Sequence, residues 1–181
     1  MRDRGYLCVR GNHEQMMIDA VLHYSPGGSE PMDWLESGGI PTVANYGMTP
    51  MEFLHRCNEE RLPLDMIKDA RWMDALPHYL EFPDLMDDLG RHLVVSHSGI
   101  LPFWEIRDTP QGQEKVLWGR SQAFNHVPHL NSFYNVFGHT AKAEIRILDN
   151  VACIDTAAAW AVGWLTALHW PSRDLYISRD D

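Results

Sequence analysis

The spacing of the apolar residues changes near residue 79, and this change restricts the fold more than any other feature of the sequence. Before it, apolar residues recur at helical spacing; after it, they form short runs typical of strands. An earlier strand is predicted over residues 6–10 and ends at Gly11. Helices are predicted over residues 14–23, 50–57 and 64–75, and further strands over residues 79–82, 92–96, 132–137, 145–148, 151–154, 165–169 and 175–178. This order predicts a mixed α/β fold.

Length and composition favour one folded domain. The 181 residues are too few for two domains of ordinary size. With 45% hydrophobic and 22% charged residues, the composition is that of a globular protein and excludes disorder. We therefore expect a single domain over residues 1–181, in which residues 25–74 form a helical, loop-rich, cap-like insertion. Within it, residues 32–46 hold two adjacent glycines and are expected to be irregular.

Charge and cysteine content limit the partners and the compartment. Lysine and arginine number 15 against 25 aspartate and glutamate residues, and a net charge of -10 repels a phosphate backbone. We therefore expect no nucleic-acid partner. The apolar stretch 151–168 is interrupted by Asp155, which favours core over a membrane span. Cys8, Cys57 and Cys153 have neither disulfide-framework nor zinc spacing, and Cys8 is expected to be a small core residue of the first strand. A cytoplasmic protein is predicted.

Three short runs each place a histidine beside a small residue, directly after a predicted strand. They are Gly-Asn-His-Glu at residues 11–14, Ser-His-Ser-Gly at 96–99 and Gly-His-Thr at 138–140. Loops at the carboxyl ends of strands converge on ligands in α/β sheets. Imidazole nitrogens and a side-chain carbonyl oxygen can bind a divalent transition metal. The runs therefore predict a metal site, although any one such histidine is more often an ordinary surface or core group.

Further segments accompany the three runs in a characteristic order: residues 9–17, 34–35, 38–39, 45–47, 117–120 and 154–157. Together they resemble the latter half of the calcineurin-like metallophosphoesterases. More narrowly, they resemble the phosphoprotein phosphatase family in its bacterial and phage-lambda-type branch of serine/threonine protein phosphatases. The resemblance covers most of the chain from about residue 6 onward, and the ordered set is more specific than any one motif.

The resemblance implies a fold, an activity and a set of site residues. The fold is a layered α/β/β/α sandwich with mixed sheets. The activity is metal-dependent hydrolysis of phosphomonoesters in phosphoproteins or phosphorylated small molecules, by direct attack of a metal-activated water. Asn12, His97 and His139 are implied as metal ligands in a centre of two ions, with manganese expected and iron or zinc as alternatives. His13 is implied as the general acid, and Arg120 as the arginine that holds substrate phosphate.

Two upstream motifs of the family, Gly-Asp-x-His-Gly and Gly-Asp-x-x-Asp-Arg-Gly, do not occur complete in this sequence. Residues 3–5 match only the end of the second motif. If residues 6–10 form a strand, Asp3 lies about 25 Å from Asn12, so we do not expect Asp3 to be a ligand. We therefore expect an N-terminally truncated family domain that lacks the first βαβ portion. An exposed sheet edge would then favour self-association.

Two other functions stay open. One is a truncated, catalytically impaired metal-binding remnant, because Asn12, His97 and His139 form a neutral set that holds an ion more weakly than a set with a carboxylate. The other is a dinucleoside polyphosphate hydrolase of the same superfamily, which residues 98–104 resemble. Glu14 and the Trp-Gly-Arg run that ends at Arg120 favour the protein phosphatase branch.

The Asp-Thr-Ala turn at residues 155–157 departs from the family pattern, because Ala157 stands where glycine is usual. We expect this turn either to avoid the left-handed conformation or to carry strain. Asp155 is expected to organise the loop by hydrogen bonding rather than to bind metal.

Overall fold

The computed structural model describes residues 4–120, 127–159 and 163–178. The described residues divide into two compact units, which we call the helical unit and the sheet unit. The helical unit is Arg10–Leu76, and the sheet unit lies within Met1–Val9 and Pro77–Asp181. Across the part of the chain that is described, no helix combines the length and the apolar character needed to cross a bilayer.

The helical unit consists of five short α-helices with two π-helical turns, Asp19–His23 and Leu35–Gly39. Its core is apolar and includes an edge-to-face contact between Trp34 and Phe53, with ring centroids 5.5 Å apart. The predicted helices at 14–23, 50–57 and 64–75 are confirmed. The α-helices are α1 (Asn12–Ile18), α2 (Glu30–Trp34), α3 (Ile40–Asn45), α4 (Pro50–Asn58) and α5 (Leu64–Asp74).

The expectation that residues 32–46 are irregular is wrong, because most of them are helical. Helix α2 continues through the π-helical turn into α3. Gly38 adopts φ 108° inside that turn, a conformation that favours glycine. The glycine therefore marks a kink between two short helices, where the sequence pattern indicated a loop.

The sheet unit contains a five-stranded mixed sheet in the order β1-β2-β3-β5-β4. Strand β2 pairs with β1 antiparallel and with β3 parallel, and β5 pairs with β3 parallel and with β4 antiparallel. A separate hairpin pairs β6 with β7. The strands are β1 (Tyr79–Met86), β2 (His92–Ser96), β3 (Phe133–Phe137), β4 (Arg146–Leu148), β5 (Val151–Cys153), β6 (Thr166–Leu168) and β7 (Leu175–Ile177).

All seven strands predicted after residue 79 are present in the structure, and β1 extends further than expected, to Met86. The mixed α/β class is therefore confirmed, and the layered sandwich stays a prediction. One face of the sheet packs against helix α6 (Pro110–Trp118) and the 3₁₀-helix Leu101–Ile106. The opposite face carries Tyr134, Val136 and Ala152. Because β2, β3 and β5 run parallel, the residues that follow these three strands lie at the same edge of the sheet.

The strand predicted over residues 6–10 is wrong. These residues form neither strand nor helix, and the side chains of Tyr6 and Leu7 are exposed. An extended segment becomes a strand only when another strand accepts its hydrogen bonds, and this segment pairs with none of the described strands. Cys8 is accordingly half-buried rather than a core residue. The prediction for Asp3 falls outside the described residues.

Candidate metal centre

His97 and His139 meet at the carboxyl ends of two adjacent parallel strands. His97 follows β2 and His139 comes two residues after β3. The ring nitrogens His97 Nε2 and His139 Nδ1 are 2.9 Å apart, although the residues are separated by 42 positions in the sequence. Both side chains are half-buried. The parallel pairing of β2 and β3 therefore brings together two of the three predicted metal ligands.

The spacing of the two rings fits two ligands of one ion. Nitrogens that bind a transition metal lie about 2.1 Å from it, so two such atoms at right angles are about 3 Å apart. The 2.9 Å between His97 Nε2 and His139 Nδ1 matches that spacing and also matches a hydrogen bond. In residues 4–120, 127–159 and 163–178 no group of three or more histidine, cysteine, aspartate or glutamate side chains is placed to hold an ion. The pair therefore matches the spacing of two ligands, and metal binding stays a prediction.

The turn that presents His139 is strained and firmly held. His139 has φ 65°, in the left-handed region that a residue with a Cβ rarely adopts. Such a conformation costs about 1–3 kcal/mol and persists only where neighbouring contacts enforce it. On one side, the Gly138 N–H donates to the His97 carbonyl at 2.9 Å; on the other, Arg146 Nη2 donates to the Thr140 carbonyl at 2.7 Å. These bonds fix the backbone on both sides of the histidine.

A buried asparagine lies beneath the loop that carries His97. Asn135, in the middle of β3, accepts a hydrogen bond from the Ile100 N–H at 3.0 Å and donates to Ser96 Oγ at 2.9 Å. Ser96 Oγ donates in turn to the Ser98 carbonyl at 2.6 Å. Sequence reasoning missed this residue. The available signal was an amide side chain in the middle of an otherwise apolar strand, where only a hydrogen-bonded amide is tolerated.

The Trp-Gly-Arg run that ends at Arg120, the residue predicted to hold phosphate, adjoins the same loops. The ring of Trp118 lies edge-on to that of His139, with centroids 6.4 Å apart. Gly119 packs so closely that a Cβ there would lie 2.6 Å from the Lys115 carbonyl oxygen and 3.1 Å from Ser98 Oγ. Arg120 follows directly and is exposed to solvent. The segment before Arg120 is thus fixed beside the histidine pair, while its guanidinium stays accessible to a ligand.

Asn12 and His13 belong to the helical unit, as the first two residues of α1. Asn12 is buried and His13 is exposed. Glu14 turns back to the start of the helix, where its Oε2 accepts a hydrogen bond from the Gly11 N–H at 3.0 Å. The buried Arg10 donates to Gln15 Oε1 at 2.8 Å. These contacts fix the beginning of α1; the roles of Asn12 as ligand and His13 as acid stay predictions.

The turn that follows β5 carries strain, which is one of the two outcomes expected from the sequence. Ala157 has φ 61°, in the left-handed region. Its N–H donates to Asp155 Oδ1 at 3.0 Å, and this bond holds the turn. Asp155 also lies beside the histidine loops, because a Cβ on Gly138 would be 3.6 Å from Asp155 Cβ. The carboxylate thus organises its own loop, as its position after the strand suggested.

A comparison with models of known protein families finds no match for this chain, and a search of curated proteins finds none either.

Proposed function

We propose that this chain takes part in metal-dependent hydrolysis of phosphomonoesters, as a phosphoprotein phosphatase for phosphoserine and phosphothreonine. The observation that carries the proposal is the 2.9 Å approach of His97 Nε2 to His139 Nδ1. The two histidines stand in the motifs that resemble the family's metal-binding loops. The strained backbone of His139 adds support, since strain of this kind gathers at functional sites. A cytoplasmic location, a phosphoprotein or phosphorylated small-molecule substrate and the layered sandwich fold belong to the same proposal.

Each proposed site residue has a separate task. When bound, a divalent ion, manganese or alternatively iron or zinc, would lower the pKa of a water molecule enough to supply hydroxide as the nucleophile near neutral pH. His97 and His139 would hold the ion through the two nitrogens that face each other, and Asn12 would add its side-chain oxygen. His13 would donate a proton to the departing alkoxide. Arg120 would pair its guanidinium with phosphate oxygens, for which a planar fork is well suited.

The hydrogen bond between the two rings defines a proton change that accompanies metal binding. In that bond, either His97 Nε2 or His139 Nδ1 carries the proton and the other nitrogen accepts it. Both nitrogens need free lone pairs to bind an ion, so the proton must leave that position. The neutral ligand form of His97 carries its proton on Nδ1, and that of His139 on Nε2. For two neutral rings, binding an ion therefore requires a change of tautomer at one histidine and no net loss of a proton.

A second candidate is a metal-binding remnant without catalysis. It is favoured by the neutral donor set, and by the finding that no third histidine, cysteine, aspartate or glutamate joins the pair among the described residues. Such a pair would hold an ion weakly, because a structural or catalytic site normally has three or four protein ligands. The two candidates differ in turnover and in the number of ions bound.

Metal content and turnover, measured together on the full chain, test both candidates. Elemental analysis after equilibration with Mn²⁺ gives ions per chain, and release of phosphate from a phosphoserine peptide gives turnover. The double variant His97→Ala, His139→Ala should lose the bound ion and all turnover. The matched control is His55→Ala, His129→Ala, which removes two exposed histidines and should change neither.

Each result selects one function. Turnover that disappears with the histidine pair supports the phosphatase. Binding of one ion without turnover favours the remnant. Faster release of products from a dinucleoside tetraphosphate than from the phosphopeptide would favour a dinucleoside polyphosphate hydrolase over a protein phosphatase. A chain that takes up no Mn²⁺ contradicts both metal-based candidates.

A further inference from the structure

The amide of Asn135 forms hydrogen bonds to residues on both sides of His97. Asn135 has no exposed surface. Its Oδ1 accepts from the Ile100 N–H at 3.0 Å, and its Nδ2 donates to the Val94 carbonyl at 3.2 Å and to Ser96 Oγ at 2.9 Å. One side chain on β3 thus contacts the end of β2 before His97 and the backbone after it.

The serines on either side of His97 extend this arrangement. Ser96 Oγ donates to the Ser98 carbonyl at 2.6 Å, which closes a tight turn around His97. Ser98 Oγ donates to the Val116 carbonyl at 2.6 Å and so ties the turn to helix α6. We call the side chains Asn135, Ser96 and Ser98 the Asn135 network. The groups of this network are buried and hydrogen-bonded. A rotation of the turn would leave them without partners, and the free-energy cost of that loss keeps the turn in its conformation.

We infer that Asn135 is a positioning residue for the metal ligand His97. Its hydrogen bonds go to the Val94 carbonyl, Ser96 Oγ and the Ile100 N–H, so it acts through the segments on either side of His97. The inference rests on the proposed function, in that the ring it positions is a metal ligand. Outer partners that orient a ligand change metal affinity by about 10- to 100-fold when they are removed. An apolar residue of similar size at position 135 should therefore weaken metal binding without removing any ligand.

The test compares two buried asparagines of the sheet unit. Asn135→Leu removes the amide beneath the His97 turn. Asn150→Leu is the matched control: Asn150 is also buried, and its Nδ2 donates to the Leu130 carbonyl at 3.2 Å. Both variants lose buried hydrogen bonds and should be less stable. Only Asn135→Leu should bind Co²⁺ about 10- to 100-fold more weakly, measured from the absorption of the bound ion.

A second readout needs no metal. Spectra of protein with ¹⁵N-labelled histidine report which ring nitrogens carry protons, and therefore whether His97 Nε2 and His139 Nδ1 still share one. Asn135→Leu should shift both rings, and Asn150→Leu should shift neither. If Asn135→Leu does not fold, Ser96→Ala takes its place, because it removes one link of the network and should give a smaller change in the same direction.

The outcomes separate the inference from the function on which it rests. Unchanged ring signals in a folded Asn135→Leu protein, or equal changes in both asparagine variants, would overturn the role of Asn135. Failure of the unaltered chain to bind Co²⁺ would instead count against the proposed function, and the ring signals would still decide whether Asn135 positions His97.

Discussion

Buried polar side chains lie at both ends of strands β2 and β3, and the two ends hold different kinds of polar group. At the amino end, Asp87 and Arg91 form an ion pair with 2.6 Å between Asp87 Oδ2 and Arg91 Nη2. At the carboxyl end, the neutral amide of Asn135 forms hydrogen bonds to backbone groups, and the rings of His97 and His139 lie within hydrogen-bonding distance of each other. The same strands thus have an ion pair at one end and an amide with two histidines at the other.

At the charged end, the two opposite charges pair with each other. Arg91 donates from Nη1 to the Asp149 carbonyl at 2.9 Å, and its guanidinium lies 4.9 Å from the centroid of the Tyr134 ring. Asp87 accepts from the backbone N–H groups of Leu89 and Arg91. Burial opposes ionisation of Asp87, but the hydrogen bonds from Arg91 and from these N–H groups outweigh it and lower the pKa of the carboxyl. The charges here stabilise the fold by pairing with each other.

At the carboxyl end, the buried polar side chains form hydrogen bonds within the protein, whereas the two histidines are partly exposed. The amide and hydroxyl groups of the Asn135 network form hydrogen bonds to the backbone and to each other, and these bonds do not involve the rings of His97 and His139. His97 and His139 remain half-buried at the surface of the sheet edge. A polar cluster whose charges pair with each other has a structural role. A cluster that positions half-exposed side chains able to coordinate an ion is suited to bind a ligand.

The largest expected effect comes from breaking the charged end. Asp87→Ala leaves Arg91 buried without its partner, which should lower the free energy of unfolding by about 3 kcal/mol. His97→Ala at the other end removes a half-exposed ring and should cost less than about 1 kcal/mol. Urea unfolding of both variants measures the difference. Equal losses would mean that the two ends contribute alike to stability.

The same pair makes the charged end sensitive to acid. Because folding lowers the pKa of Asp87, its contribution is present above the ordinary aspartate value of about 4 and is lost as the pH falls through the lower value of the folded protein. The unaltered protein should therefore lose stability more steeply than Asp87→Ala when the pH falls below about 4. Parallel slopes in urea unfolding across this range would contradict the assignment.

An intermediate effect should separate strain that serves binding from strain that does not. Ala157 and His139 have φ values of 61° and 65°. Ala157→Gly should raise the free energy of unfolding by about 1 kcal/mol, since glycine adopts this conformation freely. His139→Gly should gain less, because it also loses the contacts of its ring with His97 and Trp118. Only His139→Gly should reduce Mn²⁺ binding, and a loss in Ala157→Gly would show that the Asp155 turn also supports the site.

The smallest effect concerns self-association, which we propose for the open edge of β7. Leu175, Tyr176 and Ile177 are all exposed there, and β7 pairs with β6 alone among the described strands. A lysine on an edge strand discourages pairing with another chain. Tyr176→Lys should reduce any concentration-dependent increase in mass seen by light scattering, by a factor of about 2–5, as expected for an exposed site worth less than 1 kcal/mol. Leu64→Lys, at an exposed apolar residue of α5, is the matched control and should leave it unchanged.

Local patterns were sufficient for most of the secondary structure. Strand β2 was predicted with the bounds it has, because Leu93, Val94 and Val95 form a short apolar run that polar residues flank. The helix at residues 64–75 was equally readable from its spacing. Residues 6–10 show why a local pattern is not always sufficient. They have the composition of a strand, but a strand also needs a neighbour that accepts its hydrogen bonds. That neighbour is a property of the fold and not of the segment.

The candidate site divides in the same way. The sequence by itself determined that His97 and His139 stand in short motifs that follow strands, and the order of these motifs predicts that the two histidines are metal ligands. Only the tertiary structure decided that their ring nitrogens meet, because this depends on the parallel pairing of β2 with β3 across 42 residues. It also decided that Asn135 holds the His97 turn. Hydrogen bonds between distant segments have no periodic signature in the chain, whereas burial of one face of a strand does.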